Sequence, residues 1–330
     1  MEASPLNIQT VLGPVPIDQL GKTLMHEHVL VSFPGAELDP RYPFDREAFI
    51  ELAASRLKDL VAHGVSTFVD PCPIEMGRDV RLLAEVSERS GMNIVCSTGF
   101  YYEGAGIPAY WRQASVDEIA EFYVREIEQG IDGTGIRAGI IKCSTSAPSI
   151  TELERRFLTA ASIAHKRTGV PILTHTENGM CGPDQQDLFE GEGVPLNRCL
   201  IGHSCGNPDH AYHRGIAERG SYVGFDRIGI VRRQPDELRA DNVVKLIEAG
   251  HASRVMLSQD GYCGWRGKFF FEPSPERTRE IDAARATGDW PPRQTYIFTR
   301  FLPMLRERGV SQQVIDSILT DNPRRFFSQS

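Results

Sequence analysis

The sequence predicts a (β/α)8 TIM barrel with an extended loop after its eighth strand. Eight short β-rich runs recur along the 330 residues, amphipathic stretches separate them, and potential metal ligands gather near the ends of the runs. The runs are TLMHEHVLV (23–31), STFVDPC (66–72), NIVCSTGF (93–100), AGIIKCST (138–145), PILTHT (171–176), CLIGHS (199–204), SYVGFD (221–226) and RVMLSQD (254–260). Between them lie REAFIELAASRLKDLVAHG, DVRLLAEVSERSG, SVDEIAEFYVREIEQG, ITELERRFLTAASIAHKRTG and DELRADNVVKLIEAG. Several of these end in glycine, which sits easily just beyond a helix because it accepts a left-handed backbone. A doubly wound sheet would show the same alternation, but its glycine-rich fingerprint after the first strand is missing. RQTYIFTRFLPMLRERG and SQQVIDSILTDNPRRFF close the chain as two helices over the last strand. No linker or low-complexity stretch interrupts the pattern, so residues 1–330 read as a single barrel domain.

Composition narrows the function. A formal net charge of −8 argues against a nucleic-acid partner, which calls for a basic patch. No apolar run approaches the ~18–20 residues a membrane span needs. The opening MEASPLNIQTVLG is short and mixed, so no export signal is expected. Seven cysteines without a CxxC pair read as reduced, buried thiols, among them Cys96, Cys143, Cys199 and Cys205. A cytoplasmic protein without a cysteine-ligated zinc is the expectation.

Six residues near strand ends carry the chemistry: His26, His28, Lys142, His175, His203 and Asp260. Side chains two apart on a strand face the same way, so His26 and His28 can grip one ion together. Imidazole nitrogen and carboxylate oxygen suit zinc first, with cobalt, iron or manganese as alternatives. Four histidines and an aspartate suffice for two divalent ions, but nothing among them bridges. Lys142 supplies the bridge if its amine has reacted with carbon dioxide, because N6-carboxylysine is an anion with one oxygen for each metal. A hydroxide held between the ions would be the nucleophile, and Asp260 could ligate one ion and accept a proton during attack. Glu27 is expected to point toward the helix layer. His63, His165, His210, His213 and His251 read as helix surface rather than ligands.

Two stretches exceed a minimal barrel: GFYYEGAGIPAYWRQ after strand three, and the long segment from Gly261 to about Thr295. Barrel chemistry sits at the carboxyl ends of the strands, so both overhang the same mouth. Trp265, Phe269, Phe270 and Phe271 could form an apolar lid there.

These motifs resemble the phosphotriesterase family of the amidohydrolase superfamily, and most closely its phosphotriesterase-like lactonases. HEH after a G-x-T-L stretch, the lysine of strand four, single histidines at strands five and six and the aspartate of strand eight all match, from TVLGPVPIDQLGKTLMHEHV to ILTDNPRRFF. The resemblance implies a binuclear metal centre in which His26, His28 and Asp260 bind the more buried ion and His175 and His203 the more exposed one. Lys142, carboxylated, joins the two ions. It also implies a homodimer. Tyr101, with Tyr102 as the alternative by one residue, falls where the lactonase branch carries a tyrosine beside the metals. Arg227 matches that branch's arginine after strand seven, with a short connection following; an ion pair with Asp226 or another acid is the plainer reading. The segment GYCGWRGKFFFEPSP keeps Cys263 and Trp265 but departs from the common pattern in the loop that shapes the acyl channel.

The function this implies is a metal-dependent lactonase opening N-acyl-homoserine lactones or related aliphatic lactones, a quorum-quenching activity, with weak phosphotriesterase activity beside it. Asp260, Tyr101 and Arg227 are the expected catalytic set. Tyr101, Tyr102, Arg227, Cys263, Trp265 and Phe269 to Phe271 are the expected substrate contacts. The alternatives are a true phosphotriesterase or carboxylesterase with the same centre, and a barrel that only binds a ligand.

Overall fold

A computed structural model of the protein describes residues 6–268, 274–287 and 293–328. Eight parallel strands form one sheet in simple sequence order. They are β1 (Lys22–Leu24), β2 (Val65–Asp70), β3 (Asn93–Gly99), β4 (Ile140–Thr145), β5 (Ile172–Thr176), β6 (Cys199–Ile201), β7 (Tyr222–Phe225) and β8 (Val255–Leu257). The crossovers are α1 (Arg46–Ala62), α2 (Val80–Ser90), α3 (Val116–Glu128), α4 (Glu152–Thr168), α5 (Gly182–Gly191), α6 (His210–Glu218) and α7 (Asp236–Glu248), and α8 (Gln312–Ser328) packs against β8 and β1.

Local signals fix the helix ends. Asp45 and Asp79 cap α1 and α2 by accepting the Ala48 and Leu82 amides at 3.0 Å each. Ser115 with Glu118 and Thr151 with Glu154 form capping boxes at α3 and α4. Gly91 and Gly169 end α2 and α4 in the left-handed region, as their sequence positions predict. The strands are buried on both faces, which is why they read as nearly continuous apolar runs. A ring of Leu20, Met25, Val69, Val95, Ile140, Leu173, Leu200, Tyr222 and Met256 packs with Phe326 and Phe327 inside the sheet.

The first predicted strand is broken in two. Lys22–Leu24 belongs to the barrel sheet, whereas His28–Ser32 leaves it and pairs in parallel with Tyr262–Arg266, a strand inside the segment expected to be loop. This second pairing continues the seam between β1 and β8. Asp260 N–H donates to the His26 carbonyl at 3.1 Å, His26 N–H to Ser258 Oγ at 2.9 Å and His28 N–H to the Gly261 carbonyl at 2.7 Å. The barrel therefore closes through the very segments that carry His26, His28 and Asp260. Among the described residues no helix is long and apolar enough to cross a membrane, and all seven cysteines are buried and unpaired.

Candidate metal centre

Lys142 lies in the middle of β4 rather than at its end, and His175 is the fourth residue of β5. His26 follows β1 by two residues, His203 follows β6 by two and Asp260 follows β8 by three. All six expected ligands still meet at one end of the barrel. The His203 ring lies 4.5 Å from the ring of His26 and 4.6 Å from that of His175. Lys142 Nζ is 3.3 Å from His26 Nε2.

Asp260 is the focus. Its Oδ1 is 3.3 Å from His28 Nε2 and 3.7 Å from His26 Nε2, and its Oδ2 is 3.7 Å from His203 Nε2. Each of these rings is held from behind by a buried carboxylate on its other nitrogen. Asp226 lies 3.0 Å from His26 Nδ1 and 2.9 Å from His203 Nδ1, one oxygen for each, and also accepts the His203 N–H at 2.8 Å. Asp70 lies 3.1 Å from His28 Nδ1 and accepts the Val29 and Cys72 amides. His175 is turned the other way: Glu177 lies 3.1 Å from Nε2, which leaves Nδ1 toward the centre. Such outer bonds fix the tautomer and aim of a metal-binding imidazole. Neither Asp70 nor Glu177 was singled out in the sequence, and Asp226 appeared only as a partner for Arg227. The signal for Asp226 and Glu177 was their place, each one residue past a strand end.

The backbone carries a cost here. His203 and Asp260 adopt left-handed conformations, with φ of 57° and 52°. For a residue with a side chain this costs ~1–3 kcal/mol, and such strain concentrates at functional sites. Gly99 shows the same crowding from outside, because a Cβ on it would lie 2.0 Å from the Lys142 carbonyl oxygen.

Burial governs the protonation. It lowers His26 and His175 to about 4, with the Lys142 charge adding to the effect on His26 and Arg227 to that on His175, so both rings stand neutral as ligands. Burial also lowers Lys142 to about 8. His28 moves the other way: its bonds to Asp260 and Asp70 outweigh burial and favour the charged ring. The Asp260 and Asp70 carboxylates thus attract positive charge to this point. Together with the neutral imidazoles, the donor set fits divalent cations bound by nitrogen and oxygen.

Tyr101 and Arg227 join the same centre. Tyr101 Oη is 3.4 Å from His175 Nδ1, and the ring of Tyr102 stacks on His175 at 5.4 Å. Arg227 is buried, and its Nε donates to Asp260 Oδ2 at 3.0 Å, so its acid partner is Asp260 and not Asp226. Its Nη1 is buried and has no partner among the described residues. A mouth cluster of Val31, Cys72 and Met76 packs with Phe33, Tyr101, Tyr262 and Trp265.

Some expectations change. Cys263 is fully buried in the main core with Sγ 3.5 Å from Gln294 Oε1, so it does not belong to the mouth; Tyr262, unremarked in the sequence, does. His213 and His165 are buried, not surface, and lie 3.0 and 2.8 Å from the carbonyl oxygens of Ser204 and Val170. Glu27, expected to face the helix layer, is fully buried and accepts the Gln259 and Gly261 amides beside Asp260. Phe269, Phe270 and Phe271 lie outside the described residues.

A parallel eight-stranded barrel with histidines, a lysine and an aspartate at one end defines a metal-dependent hydrolase class. Residues 6–327 match the phosphotriesterase family, and the chain belongs to it. It is 37% identical to a phosphotriesterase homology protein of Mycobacterium tuberculosis over 98% of each chain. It is 32% identical to an aryldialkylphosphatase of Saccharolobus solfataricus, covering 94% of this chain and 95% of that one. Among solved structures, a mutant of a phosphotriesterase-like lactonase from Deinococcus radiodurans superposes with a TM-score of 0.88 at 38% identity, over 97% of this chain and 100% of that one. The chain is accordingly a hydrolase acting on ester bonds, from a binuclear metal-dependent family.

Proposed function

We propose that the protein is a lactonase for aliphatic lactones, N-acyl-homoserine lactones above all, with weak phosphotriesterase activity at the same centre. One observation carries this reading. Tyr101 Oη and the unpaired Arg227 Nη1 are polar donors at the centre, and the aromatic mouth cluster that includes Tyr101 packs beside them. Donors at the reacting group with an apolar wall next to them suit a small ring ester bearing an acyl chain.

His26, His28 and Asp260 would hold one cation and His175 and His203 another, with Lys142 as N6-carboxylysine between them and zinc the first expectation. Bound there, the cations would supply an activated water and polarise the ester. Asp260, kept ionised by His203, His28 and Arg227 against its burial, is the group able to take the proton of the attacking water and return it to the departing ring oxygen. Arg227 orients Asp260 through Nε and offers Nη1 to a substrate oxygen. The Tyr101 hydroxyl, kept protonated by burial, donates to the carbonyl or leaving oxygen. Trp265, Tyr262 and Phe33 would receive the acyl chain. A phosphotriester presents its phosphoryl oxygen to the same donors.

The second reading, a true phosphotriesterase, is favoured by the aryldialkylphosphatase relative. Comparing kcat/KM for a long-chain homoserine lactone with that for an aryl dialkyl phosphate decides. A larger lactone value is expected; a larger phosphotriester value overturns the proposal.

A further inference from the structure

Tyr101 reaches the centre from a loop, so its aim depends on what holds that loop's backbone. Two carboxylates do so. Glu154, at the start of α4, accepts the Glu103 amide at 3.0 Å, and its oxygens are also used by the Ser146 amide and hydroxyl and the Thr151 amide. Glu75, in the turn after β2, accepts the Tyr101 amide at 2.8 Å. Its other oxygen, Oε2, is buried and has no hydrogen-bond partner among the described residues. A buried polar atom left unpaired is unfavourable, because the bonds it made to water are not replaced.

Within the turn the carboxyl serves its own backbone amide, and other bonds hold the rest. Ile74 N–H on the Gly99 carbonyl, Met76 N–H on the Pro73 carbonyl and Ser32 N–H on the Met76 carbonyl already fix its backbone. The nearby cation Arg78 is engaged by both oxygens of Glu126 and by the Ser97 carbonyl. Among the described residues, the one hydrogen bond Glu75 makes outside its own turn is to Tyr101. The same turn also contributes to the ring's surroundings, since Cys72 and Met76 belong to the mouth cluster against which Tyr101 packs.

We propose that Glu75 is the positioning residue for Tyr101, holding its amide so that the hydroxyl stands beside His175 Nδ1. The inference rests on the reading of Tyr101 given above, and its test separates the two. Glu75→Asp keeps a carboxyl group but withdraws it by one methylene, Glu75→Ala removes it, and Glu75→Gln keeps an acceptor oxygen in place. In the full-length, metal-loaded enzyme, the Asp and Ala variants are expected to lose about tenfold in lactone kcat/KM, mainly in kcat, with Gln restoring it to within about twofold. In a Tyr101→Phe background the Asp change is expected to cost nothing further. Equal losses in both backgrounds, or an Asp variant with full activity, would overturn the proposal. A second readout does not depend on catalysis: 3-fluorotyrosine labelling with the Tyr101 fluorine resonance assigned by Tyr101→Phe. That resonance is expected to move in Glu75→Asp and to hold in Glu75→Gln. If Tyr101→Phe keeps full activity, the chemical role of Tyr101 falls, and the resonance alone decides Glu75; a resonance unmoved by Glu75→Asp defeats it.

Discussion

Asp226 stands behind His26, its Oδ2 3.0 Å from Nδ1, and with its remaining oxygen it grips His203 in the same way. One buried carboxylate thus aims two imidazoles contributed by β1 and β6. Asp226→Asn would present an N–H2 group to one of two donors, the His203 amide or an imidazole N–H, and one ring would lose its tether. The expected result is a 10- to 100-fold loss of divalent-cation affinity with the fold intact. Competition with a metallochromic chelator measures it, and wild-type affinity would contradict the role.

Lys142 sits 3.3 Å from His26 Nε2 in a pocket that disfavours its ammonium. A bare cation against the neutral His26 ring is poorly accommodated, whereas a carboxylated amine would offer two oxygens as further ligands for cations held by the neighbouring side chains. Lys142→Ala is expected to drop metal content below one ion per chain and to abolish activity, with partial rescue of both by small carboxylic acids. Metal analysis with and without added propionate checks this; activity surviving the substitution would refute the bridge.

Gly99 faces Lys142 across the β3–β4 pair with φ of 116°. An added Cβ would meet the Lys142 carbonyl oxygen at 2.0 Å and its amide nitrogen at 2.9 Å. Gly99→Ala therefore combines left-handed strain with backbone overpacking, about 2–5 kcal/mol together. Denaturant unfolding is expected to show that loss, along with a fall in metal content. A substitution neutral in both would mean that β3 can shift.

The barrel and its six candidate ligands were legible because they rest on short-range signals. Apolar runs, capping residues and terminal glycines mark β/α units, and a histidine or aspartate near a strand end needs no distant partner to be noticed. What stayed hidden depends on pairing across the chain. The break at Met25–Glu27 follows from the hydrogen bonds of His26 and His28 to the Ser258–Gly261 segment, more than 230 residues away. Asp70 and Glu177 look like ordinary acids until the histidines they hold are brought beside them. His213 looked exposed because helical spacing says nothing of which face lies inward, and its carbonyl partner, Ser204, belongs to the turn after β6.

Glu75 gives a pH test of stability away from the metal ligands. Burial pushes its carboxyl up to about 7 from an ordinary 4.5, against the bonds from backbone amides that favour the anion. Between those values the folded chain keeps a proton that the unfolded chain releases, so stability falls as pH rises through this window. The contribution is greatest below pH 4.5 and is lost above 7. Glutamine has no such proton to lose. Glu75→Gln is therefore expected to gain on the wild type by up to ~3 kcal/mol between pH 5 and pH 8, less where solvent reaches the partly exposed side chain. For a chain of this size that is a relative Tm rise of roughly several degrees. Calorimetry of both proteins at the two pH values measures it. A Tm difference that stays constant, or shrinks as pH rises, would show that the Glu75 carboxyl is not held protonated by its surroundings.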